Sequence, residues 1–191
     1  LRSTDRGGTW TTWTPLELAS RGGGERVGFG PVDLVATRGQ STLFWTTYAP
    51  NWPEGWRAWF ASDERPLPSG KSPAPLPGRL ANRTFVRNAI TTRDGRLMMP
   101  FQHYLAADTD LIDPRCGVIV SADGGKTWSE HGDIRVGPVH RRFGWEESNL
   151  VELDGGRIVM LIRASGLMAM TYRAESTDGG KTWSDVATLL R

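Results

Sequence analysis

Glu147 and Arg163 stand eight residues to either side of Gly155 in WEESNLVELDGGRIVMLIR, residues 145–163. If this stretch is a β-hairpin turning at that glycine, the two side chains meet at its open mouth as a cross-strand pair. A carboxylate there can take up a proton, and a guanidinium fork can hold a planar anion through two hydrogen bonds. The same two residue types can also form an ordinary surface ion pair, contributing about 0–1 kcal/mol. Glu146 is a rival carboxylate, although strand alternation turns it to the other face, and Glu152 lies inside the strand. Arg87 and His103 are likewise eight residues from Gly95, with Asn88, Gln102 and Tyr104 beside them.

A second set of carboxylates recurs. SADGGKTW at 121–128 returns as STDGGKTW at 176–183 and opens the chain as STDRGGTW at 3–10. In this pattern the Asp can accept backbone N–H groups inside its own turn, a Gly permits positive φ, and the Trp covers neighbouring strands. Asp5, Asp123 and Asp178 are therefore expected to build turns, not to act as acids or bases. No histidine spacing, HGDIRVGPVH at 131–140 included, reads as a metal site, and no cofactor is expected. Cys116 is the single cysteine, so no intrachain disulfide forms.

The elements that must position these residues follow from two interleaved periods. The serine of the octapeptide falls at Ser3, Ser121 and Ser176, with gaps of 118 and 55 residues, which implies a degenerate copy near Ser62 in FASDERPLPSG. Turn glycines at Gly39, Gly95 and Gly155 are spaced 56 and 60 residues apart, and each precedes its serine by 21 to 26 residues. A unit of this length, with a turn near its start and another near its middle, fits a four-stranded antiparallel blade. Blades bury both faces only by stacking, so the expected fold is all-β, a β-propeller of about three to four blades. Its parts are a blade end at 1–20 and units at about 28–80, 84–137 and 145–191. In the last unit, strands are expected at about 148–153, 157–163 and 169–175, followed by a short outer strand. PLPSGKSPAPLPG, residues 66–78, is too proline-rich for a central strand and reads as an edge or excursion.

Composition agrees. Nine Trp, 23 Gly and 12 Pro in 191 residues favour short strands and tight turns. The net charge of +2 with scattered arginines lacks the basic stripe of a nucleic-acid binder, though arginines near a pocket suit an anionic small molecule. No run approaches the roughly 20 apolar residues of a membrane helix. The chain begins at Leu1 without a leader and ends at Arg191 soon after an octapeptide, and so reads as cut at both ends.

The three octapeptides resemble the Asp-box, or bacterial neuraminidase repeat, of the sialidase superfamily, whose fold is a six-bladed propeller. The segment from Trp145 to Arg163 is similar to the one in which that family places a Glu before a strand and an Arg sixteen residues later. The resemblance implies that Glu147 is the base partner of a tyrosine nucleophile and that Arg163 belongs to a triad gripping the sialic-acid carboxylate. These roles are chemically sound, because a tyrosine with an ordinary pKa near 10 needs help to attack, and a carboxylate nucleophile would be repelled by the substrate's own carboxylate.

By their count about Gly95, Arg87, Asn88, Gln102 and His103 are expected to line the same mouth and contact glycerol, hydroxyl or N-acyl groups of a sugar, with a strand-end His bonded in the ordinary way as the other reading of His103. Trp145 either stacks on a sugar face or packs. The family's remaining arginines, its acid/base Asp and its Tyr fall outside the chain, so the chain alone is expected to be inactive. None of Tyr48, Tyr104 and Tyr172 is assigned as nucleophile. The implied partner is a sialylated or other anionic glycan, and the implied location secreted or periplasmic. The alternative is an Asp-box propeller that binds glycans or proteins without hydrolysis, or a relative cleaving polysaccharide by another mechanism.

Overall fold

The computed structural model describes residues 3, 5–11, 28–37, 40–48, 57–63, 74–81, 84–103, 115–134, 145–164 and 171–189. They form an all-β architecture of three antiparallel sheets. The first contains β1 (Gly28–Thr37), β2 (Gln40–Tyr48), β3 (Arg57–Asp63) and β4 (Ala74–Pro75) in that order. The second contains β5 (Thr84–Val86), β6 (Ile90–Thr91), β7 (Leu97–His103), β8 (Arg115–Ser121) and β9 (Ser129–Ile134), with β5 and β6 both paired to β7. The third contains β10 (Trp145–Glu152), β11 (Ile158–Ala164), β12 (Thr171–Ser176) and β13 (Ala187–Thr188). Each sheet is thus a meander that runs from its first strand outward, as propeller blades do.

The sheets stack face to face. Between the first and second lie Val35, Phe44, Ala58, Leu76 and Leu80 against Val86, Leu97, Met99, Phe101 and Ile119. Between the second and third lie Met98, Cys116, Val118, Val120 and Ile134 against Leu150, Ile158, Met160, Ile162, Tyr172 and Ala174. The middle sheet is covered on both sides, which is why β7 reads LMMPFQH and is buried at every position. Alternation sends Leu97, Met99 and Phe101 to one neighbour and Met98 to the other. The proline-rich stretch contributes the two-residue edge strand β4, paired only to β3, as the missing N–H of proline requires.

Octapeptide turns tie one sheet to the next. Trp128 stands edge-on to Phe44, with ring centroids 5.2 Å apart, and to Phe60, at 6.0 Å. Trp183 packs into the core shared by the second and third sheets. The fit leaves no room at two glycines: a Cβ on Gly132 would lie 2.5 Å from Trp183 Nε1, and one on Gly180 2.5 Å from Val118 Cγ2.

Register fixes which end of each sheet is which. Ser176 faces Ile158 and Thr171 faces Arg163, so the octapeptide after β12 shares an end with the β10–β11 turn, where Gly155 and Gly156 have φ of 75° and 76°. Ser121 faces Leu97 in the same manner, while Arg115 faces His103. Ser62, the penultimate residue of β3, falls at the equivalent strand end, and residues 64–73 that follow lie outside the described set. The opposite end, where β10 starts and β11 stops, carries Glu147 and Arg163.

Candidate functional site

The octapeptide aspartates are occupied by their own turns. Asp123 accepts from Ser121 Oγ at 2.8 Å, from Thr127 N at 2.9 Å and from Thr127 Oγ1 at 2.6 Å. Asp178 and Asp5 repeat the pattern with Thr182 and Thr9, each hydroxyl 2.6 Å away. Serine Oγ accepts a backbone N–H in turn, and the Trp indole donates to a glycine carbonyl. Donated hydrogen bonds favour the ionised form, so the threonine hydroxyls first, and the backbone N–H groups after them, hold Asp123 and Asp178 well below the usual carboxylate range. The same contacts bring Asp5 to about 2. A carboxylate this acidic and this fully used is a poor proton carrier at neutral pH.

At the other end of the strands the innermost strand of every sheet is irregular. β1 shifts register between Phe29 and Val32, β10 between Trp145 and Ser148, and the inner strand of the second sheet breaks into β5 and β6 around Arg87, Asn88 and Ala89. Such bulges re-aim side chains that a regular strand would send elsewhere. Asn88 is in the left-handed region at φ 59°.

The bulges bring residues of all three sheets together. Glu147 Oε2 accepts from Arg163 Nη1 at 3.1 Å, and Glu147 Oε1 lies 2.6 Å from Arg87 Nη1. Asn88 Nδ2 donates to the Ser148 carbonyl at 2.9 Å, and its backbone N–H donates to Asp33 Oδ2. One carboxylate is therefore held by guanidinium groups from two adjacent sheets. The Glu147 and Arg163 side chains remain 42% and 52% exposed, so the pair adds only about 0–1 kcal/mol of stability and both groups stay reachable from solvent.

His103 and Gln102 lie within the middle sheet. The register sets His103 opposite Thr84, not opposite Arg87: the pairs Thr91–Leu97 and Ile90–Met98 centre the hairpin on Asp94 and not on Gly95, and the break between β5 and β6 adds one more residue to the inner strand. His103 is 5% exposed, with Nδ1 2.8 Å from Thr84 Oγ1, and Gln102 is 6% exposed. Both are buried strand residues. Tyr104 and the side chains of Trp145 and Glu146 lie outside the described residues. Glu152 accepts from the Arg93 backbone N–H at 2.6 Å, a contact between sheets at the turn end.

Tyr172 is buried and turned into the core between the second and third sheets, and that burial raises its pKa. Burial likewise pushes the Cys116 thiol up to about 12, partly offset by a hydrogen bond with Ser148, so it is neither thiolate nor ligand at neutral pH. Among the described residues no group of His, Cys, Asp and Glu could hold a metal ion. No described helix is long and apolar enough to cross a membrane.

Asp33 is the residue that sequence reasoning missed. Its signal is a lone carboxylate in PVDLVA, an otherwise apolar strand, where an ionised group needs a partner.

Comparison with known proteins agrees with this architecture. The sequence model described as BNR repeat-like domain matches residues 1–190. No curated protein matches the chain. Among solved structures, Trypanosoma rangeli sialidase in complex with sialic acid superposes with a TM-score of 0.68 at 21% identity, over 98% of this chain and 32% of its own. The Hadza microbial sialidase Hz136 gives 0.64 at 18%, over 83% and 33%. A protein of unknown function from Dyadobacter fermentans gives 0.65 at 18%, over 86% and 51%. At these identities the likeness is one of fold, and the chain spans a third to a half of the structures it matches.

Proposed function

Since the chain belongs to the BNR repeat-like domain family, within the sialidase superfamily, we propose that the polypeptide containing it is an exo-acting glycoside hydrolase releasing terminal sialic acid or a related anionic sugar. The observation that supports this most is the Glu147–Arg163 contact at the strand ends away from the octapeptide turns.

Arg163 in this reading grips the sugar carboxylate, for which its planar fork is suited. Glu147, beside it, accepts the hydroxyl proton of a tyrosine supplied by another part of the polypeptide as that oxygen attacks the anomeric carbon and the glycosidic C–O bond breaks. The aglycone leaves as an alcohol that takes its proton from a general acid, and water then releases the sugar from the tyrosine. Tyr172 is assigned no part in attack, because it faces the core. Trp145, two residues before Glu147, is assigned to the substrate side of the mouth.

The experiment is release of sialic acid from a chromogenic sialoside by the natural full-length polypeptide. Hydrolysis that falls by about 10²–10⁴-fold in Glu147→Gln supports the reading. Binding of sialylated glycan with no release in the parent protein would replace it with the binding-only alternative.

A further inference from the structure

Arg87, which its position in the sequence marks as an expected sugar contact, forms an ion pair with Glu147. The two oxygens of Glu147 are divided between two cations, Oε1 toward Arg87 on the second sheet and Oε2 toward Arg163 on its own. The two cations differ in access. The Arg163 side chain is 52% exposed and that of Arg87 25%, so Arg163 is presented outward and Arg87 stands behind.

The neighbouring residue repeats the gesture on the backbone. Asn88 holds the Ser148 carbonyl through Nδ2, while its own N–H is held by Asp33 of the first sheet. Two successive residues of the break between β5 and β6 thus grip two successive residues of β10, one by its side chain and one by its main chain. The left-handed φ of Asn88 makes this possible, because it turns the Arg87–Ala89 segment away from regular strand geometry.

We infer that Arg87 is a positioning residue for Glu147: it keeps the carboxylate in place when a substrate anion takes over the Arg163 fork, with Asp33 and Asn88 fixing the segment that carries it. The inference rests on the hydrolase reading above. An anion arriving at Arg163 competes with Glu147 Oε2 for the same guanidinium. A carboxylate with no second partner would be repelled by that anion and drift from the reacting hydroxyl. With Arg87 on Oε1 it stays. The effect falls on the chemical step more than on ground-state binding, since Arg87 acts through Glu147 and not on the sugar.

The test is steady-state hydrolysis of a chromogenic sialoside by the full-length polypeptide as wild type, Arg87→Ala, Arg87→Lys and Glu147→Gln, with thermal midpoints measured alongside. The expected result is that Arg87→Ala lowers kcat by about tenfold or more and changes KM by less than about threefold. Arg87→Lys, which keeps the charge and is the milder change for folding, is expected to restore most of the lost kcat. A raised KM with unchanged kcat in Arg87→Ala overturns the inference, because it makes Arg87 a substrate contact. Loss in Glu147→Gln with none in either Arg87 variant also overturns it and leaves the hydrolase reading standing. No loss in Glu147→Gln overturns both.

Discussion

Glu147 and Arg163 lie on adjacent strands with one oxygen and one guanidinium nitrogen 3.1 Å apart, at the end of the third sheet opposite the Asp178 turn. That separation of ends distinguishes the octapeptide aspartates, which are consumed by local hydrogen bonds, from Glu147, which is shared between Arg163 and Arg87.

Arg163 serves in this account as a fork and not merely as a positive charge. Arg163→Ala is expected to lower kcat/KM for an anionic sialoside by on the order of 10²–10³-fold, and Arg163→Lys to recover only part of it. Equal activity of the Lys variant and the wild type would reduce the role to simple charge attraction.

The octapeptide aspartates should make stability depend on acid. Their folded pKa values are depressed, to about 2 for Asp5 and lower for Asp123 and Asp178, through the hydroxyls and N–H groups of Thr9, Thr127 and Thr182. Their contribution is complete above the unfolded value near 3.9 and is lost as pH falls from there through the folded values. Denaturant midpoints between about pH 5 and 2 should therefore fall, and Asp123→Asn should flatten that slope while lowering stability at pH 7. A slope identical in Asp123→Asn and wild type would show that the turn does not depress the carboxyl.

Trp128 should matter to sheet stacking. Its ring stands edge-on to Phe44 and Phe60 of the preceding sheet, so Trp128→Ala is expected to cost about 2–4 kcal/mol in chemical denaturation. A cost below about 0.5 kcal/mol would place the ring outside the cooperative core.

Arg6 has φ 59° where the other two octapeptides have Gly124 and Gly179, at 72° and 75°. A residue with a Cβ is strained there, so Arg6→Gly is expected to stabilise the turn by up to about 1 kcal/mol. Destabilisation instead would point to a contact of the Arg6 side chain that outweighs its backbone strain.

What was legible in the sequence was local or regular. Ser121, Asp123 and Thr127 satisfy one another and Trp128 donates to the Gly125 carbonyl, all within eight residues, so their spacing alone discloses the turn. Glu147 and Arg163 were legible because β10 and β11 keep one register from Ser148 through Ile158, and counting from Gly155 reaches the right partners. The same count failed for His103, since that hairpin turns about Asp94 and not about Gly95, and the extra residue near the left-handed Asn88 then displaces everything beyond it. Arg87 on Glu147 and Asp33 on Asn88 stayed hidden for another reason. They join different sheets across 60 and 55 residues, and the stacking that unites them depends on the whole repeat.

The most direct measurement is a crystal structure of the full-length polypeptide soaked with sialic acid. The account predicts the sugar carboxylate on the Arg163 guanidinium, beside Glu147, at the strand ends remote from Asp123 and Asp178. Sugar bound at the octapeptide end, or a soaked crystal with the Glu147–Arg163 contact undisturbed and no sugar there, would contradict it.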